Sequence, residues 1–115
     1  MLNLRLPEKQ QKILSNNIKV LPLLKFKKQV MPQISTFYGL VILMNFKDHT
    51  PPHFHVWYGE YKITITIEDG IVTGKMPKRA LKMVFEWLEI HRDELFEIWM
   101  KAQKGEVLTY IEPLK

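Results

Sequence analysis

The chain has 115 residues, a formal net charge of +5 and no cysteine. Its length and its 46% hydrophobic content suit one small domain with an ordinary core and leave no room for a multidomain machine. Without cysteine there are no disulfides and no thiolate metal ligands, and a reducing compartment, the cytoplasm, is the default expectation.

The charge is unevenly placed. Residues 1–30 hold seven basic groups against Glu8 alone, a net +6, and the remaining 85 residues hold ten basic and eleven acidic groups, a net −1. We therefore expect a basic N-terminal extension over residues 1–30, flexible or drawn to nucleic acid or an acidic partner, followed by a single domain over 31–115. Within the extension, Pro7 can open a short helix over 7–14, while Pro22 and the Lys25, Lys27 and Lys28 cluster prevent a longer one. The apolar patch from Val20 to Phe26 is interrupted by Pro22 and Lys25. It is too short to span a membrane and lacks a small-residue cleavage site, so neither a membrane anchor nor a leader is expected.

Leu40 to Met44 is a β-branched-rich apolar run suited to a central strand. Asp48-His49-Thr50-Pro51-Pro52 leaves regular structure, because two prolines remove donors and hold their neighbours extended. His53 to Tyr58, the pair Gly59-Glu60 and Tyr61 to Glu68 predict a hairpin with glycine at the first turn position. Asp69-Gly70 predicts a further turn into Ile71 to Lys75. With Tyr58 and Tyr61 flanking the first turn, Val56 faces Ile63 and Phe54 faces Ile65 on a core side. His55 then faces Thr64, His53 faces Thr66 and Trp57 faces Lys62 on the other. A one-residue slip would bury the histidines and expose Ile63, Ile65 and Ile67.

Leu81, Val84, Phe85 and Leu88 form a helical stripe after Pro77, extended by His91. Leu95, Ile98, Trp99 and Ala102 form a second that ends before Gly105, with His91-Arg92-Asp93 as junction or kink. Trp87 and Trp99 are expected in the core or an interface. The predicted fold is α+β: an antiparallel β-meander of about four strands with two C-terminal helices packed on one face, and a histidine-bearing face open to solvent, a ligand or a second copy of the chain.

The span Met31 to Leu114 resembles a bacterial family catalogued as a domain of unknown function numbered 4160. The likeness rests on Met31-Pro32-Gln33-Ile34-Ser35 with Phe37-Tyr38-Gly39, on Asp48-His49 with Pro51-Pro52-His53-Phe54-His55, on Tyr58-Gly59-Glu60-Tyr61, and on Glu86-Trp87 with His91-Arg92 and Leu95. The family starts at the position of Met31, so residues 1–30 depart from it. The resemblance implies the toxin of a type II toxin–antitoxin module, whose partner is a small DNA-binding antitoxin.

Three of the four histidines fall between Asp48 and His55, and histidine titrates nearest neutrality. The candidate catalytic residues are His53, His55, His49 and Asp48, able to supply acid and base for RNA cleavage. The candidate binding residues are Trp57 for stacking, Lys62 and Lys75 for phosphate charge, Thr64 and Thr66 on the same face, and His91 with Arg92 if they converge on it. No cofactor is required by this reading. A divalent metal held by His53 and His55, with His49 or Asp48 as a third ligand, is one alternative. A polar face that fixes the proline loop, or that docks a protein without breaking a bond, is the other.

Overall fold

The computed structural model describes residues 31–115. The expectations for residues 1–30, the basic extension and its short helix, lie outside the described residues. Five antiparallel strands follow one another in sequence order across a single sheet: β1 (Gln33–Phe37), β2 (Leu40–Leu43), β3 (His53–Tyr58), β4 (Tyr61–Thr66) and β5 (Val72–Thr73). One helix, α1 (Lys78–Lys104), completes an α+β fold. The meander is as expected, but it has five strands where about four were predicted, and one helix where two were predicted.

The added strand is β1. Its alternation is hidden by a bulge: Gln33 pairs with Leu43 and Ser35 with Ile42, leaving Ile34 as an extra residue, so Ile34 and Ser35 are buried in succession. The β1–β2 turn consists of Tyr38 and Gly39, both at positive φ (49° and 82°). Two left-handed residues match the twist of a tight hairpin, and a tyrosine in the first place disguises it. The β3–β4 register is residue for residue the expected one, from His53 opposite Thr66 to Tyr58 opposite Tyr61.

The two expected helical stretches run together as one element with a kink at His91, whose φ −115° and ψ 19° are non-helical, at the junction the sequence predicts. Leu88, His91 and Leu95 keep the spacing of three and four residues, so one buried stripe runs through the bend. That stripe is Ala80, Val84, Trp87, Leu88, His91, Leu95, Ile98, Trp99 and Ala102. Leu81 and Phe85, expected at its centre, are half-buried at its margin. Gly105 closes the helix at φ 74°, its N–H donating to the Ala102 carbonyl while that of Glu106 donates to Lys101.

The core lies between this stripe and the sheet face carrying Phe54, Val56, Ile63 and Ile65, with Ile34, Phe37, Leu40 and Ile42 beside them. Two features reach across it. Arg92 Nε donates to the Ile67 carbonyl at 2.9 Å. The C-terminal segment crosses back, with the Ile111 N–H donating to the Ile34 carbonyl (2.7 Å) and Trp87 Nε1 to the Glu112 carbonyl (2.9 Å).

The β2–β3 connection is clamped from several sides. The Lys47 N–H donates to the Ala102 carbonyl (3.2 Å), Gln103 Nε2 to the Asp48 carbonyl (3.1 Å), and the Ile67 N–H to the Pro52 carbonyl (3.0 Å). The loop is therefore held between the end of α1 and the end of β4. Among the described residues, no helix is long and apolar enough to cross a membrane.

Candidate functional site

The clamped loop delivers Asp48 to the first residues of β3. Strand pleating sends His53 and His55 to one side, and Asp48 reaches across to both. Its Oδ2 lies 3.0 Å from His53 Nε2 and 3.5 Å from His55 Nε2. The two imidazoles are 5.3 Å apart between centroids. One ligand atom from each of these three residues can be chosen so that all lie within 4.8 Å of one another.

His53 carries the most informative geometry. Its Nδ1 is 2.8 Å from the Pro51 carbonyl oxygen, which can only accept, so Nδ1 must bear the hydrogen. In a neutral ring, Nε2 then presents a lone pair. Yet Nε2 faces a second acceptor, the Asp48 carboxylate. A proton between nitrogen and carboxylate, or a cation shared by them, reconciles the two. An Nδ1–H bonded to a carbonyl, which fixes the tautomer and turns Nε2 outward, is also the usual second interaction of a metal-bound histidine.

The carboxylate is anchored on its other side. Asp48 Oδ1 accepts the His49 backbone N–H at 2.8 Å and lies 2.9 Å from His49 Nδ1. Burial alone raises the Asp48 carboxyl. The His49 N–H, the charge of His53 and hydrogen bonds from His55 and His53 outweigh it and hold the group below the ordinary carboxylate range. Burial pulls the His55 imidazole below its ordinary value, and the neighbouring histidines reinforce this against the opposing bond to Asp48.

The expected open histidine face needs correction at His53. That residue is 8% exposed and its ring lies 5.4 Å from that of Trp99, because the clamped loop and the last turns of α1 close over the start of β3. His55 is half-buried and opens onto a depression of about 640 Å³ lined also by Asn45, Asp48, His49, Thr64, Thr66 and Thr73. The His49 side chain is 84% exposed at the rim.

The remaining candidates divide. Thr64 and Thr66 line the depression. Trp57 and Lys62 line a neighbouring one of about 310 Å³ that shares His55, Thr64 and Thr73 with it, and Lys62 Nζ sits 4.7 Å from the Trp57 ring centroid. Lys75 is exposed beyond β5, after Gly74, and lines neither. His91 and Arg92 are not brought to this face. His91 is buried against Trp87, 2.5 Å from Glu94 Oε1, and borders a depression formed with Pro113 and Leu114. Arg92 forks onto Glu89 while holding Ile67.

Sequence reasoning missed Gln103, Trp99 and the Pro51 carbonyl. The first two come from 55 and 46 residues beyond their partners and leave no local trace. Pro51 had one: paired prolines hold the backbone extended just before His53.

A model of the family described as a domain of unknown function, DUF4160, matches residues 39–100, the span that holds Asp48, His53 and His55. Neither a curated protein nor a solved structure matches the chain.

Proposed function

The chain belongs to the DUF4160 family, and since that name specifies no reaction, we propose from the site itself that Asp48, His53 and His55 bind a divalent transition-metal ion, zinc first, as the centre of a hydrolytic enzyme. The observation that supports this most is the pair of acceptors facing the two nitrogens of His53, which a cation between Nε2 and Asp48 Oδ2 reconciles.

Donor separations of 3.0 and 3.5 Å fit the chemistry. With zinc bonds of about 2.0–2.1 Å, both separations are short enough for Asp48 to share an ion with either histidine, and the two imidazole nitrogens, in a set of donors within 4.8 Å of one another, would need to stand within about 4.2 Å for all three to hold it. Two imidazoles and one carboxylate make three protein ligands, the number that leaves positions free for water and substrate. Held by these three residues, a zinc ion would supply a water of near-neutral pKa and a Lewis acid for an ester oxygen. The protein's own part is to fix the His53 tautomer through Pro51, to hold Asp48 through His49 and Gln103, and to present the accessible side of His55 to the depression.

Elemental analysis of protein purified without chelator is expected to show one metal per chain, and Asp48→Ala to remove it while leaving the circular dichroism spectrum intact. Metal-free protein that gains neither bound zinc nor thermal stability on titration refutes the reading.

The toxin role implied by the resemblance, with a DNA-binding antitoxin as partner, is an accompanying proposal. Expression without the neighbouring gene is expected to arrest growth and Asp48→Ala to relieve the arrest. Arrest by both forms alike would separate toxicity from this site and favour a non-catalytic binding module.

A further inference from the structure

The two depressions on the outer face of the sheet share His55, Thr64 and Thr73. They form one groove, with Asp48, His53 and His55 at one end and Trp57 and Lys62 at the other. Building on the metal reading, we infer that this groove binds a single-stranded nucleic acid, with a backbone phosphate at the metal and the adjacent base against Trp57.

The spacing is the first argument. His55 and Trp57 are alternate residues of β3 on one face, about 7 Å apart along the strand, the scale of one nucleotide of extended single strand. The second is the lining. Thr64 and Thr73 continue the row of His55 across the sheet, offering hydroxyls to sugar and phosphate, and among the described residues Trp57 is the only aromatic side chain lining the groove besides its histidines. Stacking on an aromatic ring is the sequence-tolerant element of single-strand binding.

Lys62 is placed to serve both states. Its Nζ lies over the Trp57 ring at 4.7 Å, and the residue is exposed. Its flexible stem can exchange the ring for a phosphate, freeing the ring face for a base. A peptide strand is a poorer occupant, because β3 and β4 are interior strands whose backbone groups already pair with neighbours on both sides.

Residues 31–115 carry a net −1, so the groove would hold a strand through the metal, Lys62 and stacking on Trp57 rather than through general positive charge; the Lys62 contribution is salt-dependent and that of Trp57 is not.

The test uses the full chain loaded with zinc and 12-residue fluorescein-labelled oligouridylate and oligothymidylate, followed by anisotropy at 50 and 200 mM salt and by tryptophan fluorescence. Trp87 and Trp99 are buried, 0% and 4% exposed, so quenching reports Trp57. Binding of either oligomer with quenching is expected; preference between the two assigns RNA or DNA. Trp57→Ala is expected to weaken binding by about tenfold to a hundredfold, with zinc affinity retained as proof of folding. Lys62→Glu, at an exposed position, is expected to weaken it without affecting the fold. Asp48→Ala, which lacks the metal, is expected to weaken it too. Zinc binding with no oligonucleotide binding, or oligonucleotide binding indifferent to all three substitutions, overturns the inference and leaves the metal centre standing. Failure of zinc to bind refutes the metal reading separately, and takes the anchored phosphate with it.

Discussion

Replacing Gln103 by leucine tests whether the end of α1 prepares the metal site or merely stabilises the fold. The Gln103 amide donates to the Asp48 carbonyl at 3.1 Å, while the neighbouring bond from Lys47 N–H to the Ala102 carbonyl is independent of the side chain. Leucine keeps similar bulk and removes one neutral hydrogen bond, worth about 1 kcal/mol. If that bond prepares Asp48 for the ion, the loss falls on metal affinity, roughly fivefold, since 1.4 kcal/mol is tenfold. If it only stabilises the fold, the loss appears as a fall in Tm of about 4–8 °C for a domain of this size, equal with and without metal. Competition against a chromophoric zinc chelator measures the first, and thermal unfolding in EDTA and in excess zinc measures the second. We expect weakened affinity, and a Tm deficit larger in zinc than in EDTA. Unchanged zinc affinity, in a protein whose Asp48→Ala variant has lost it, would refute the reasoning.

Phe54 is fully buried and meets Trp87 edge-to-face with centroids 5.9 Å apart; Phe54→Ala is expected to cost about 3–5 kcal/mol in urea unfolding, and a cost below 1 kcal/mol would contradict the packing described. At Gly74, φ is +114° and an added Cβ would lie 2.8 Å from the Lys62 carbonyl oxygen and 2.9 Å from Ile63 Cγ2, whereas Gly59 (φ +58°) meets nothing within 4 Å. Gly74→Ala is therefore expected to lower Tm more than Gly59→Ala, and the reverse order would exclude the close approach at β5. For metal-free protein, the lowered His55 value sets the sign of the pH dependence. Between the folded value and the ordinary pKa of about 6.5, the unfolded chain takes up a proton that the folded chain does not, so stability falls as pH drops through that window. The lowered Asp48 carboxyl adds stability above about pH 3.9 that is lost on further acidification. Urea midpoints measured in EDTA at pH 7.5 and 5.5 are expected to fall, and His55→Gln to flatten the fall; a rise would reverse the assignment.

Legibility in the sequence followed the range of the interactions involved. The β3–β4 register was readable because period-two alternation and the Gly59 turn act within a dozen residues, and a slip would have exposed three isoleucines. That register alone put His53 and His55 on one side. β1 was not readable, since the bulge buries Ile34 and Ser35 together and Tyr38 occupies a place usually taken by asparagine. The bend at His91 was visible as a change of stripe, but its continuity depended on packing against Trp87 and the sheet. The site was half legible. Asp48 and the histidines stand close in sequence, yet the burial of His53 comes from Trp99 and the placement of Asp48 from Gln103, both on the far end of a helix. His91 and Arg92 were legible as stripe and kink, but not as lying away from the histidine face, where Arg92 ties the helix to Ile67 and His91 borders the C-terminal segment.

The bond from Ile111 to the Ile34 carbonyl joins the first strand to almost the last residues of the domain. The hairpins and the helix close through contacts of short sequence separation, whereas this bond spans 77 residues and closes the longest loop of the fold. With the bond from Trp87 to the Glu112 carbonyl it makes the C-terminal segment a latch, whose release would leave strands and helix formed and the domain open along its first strand.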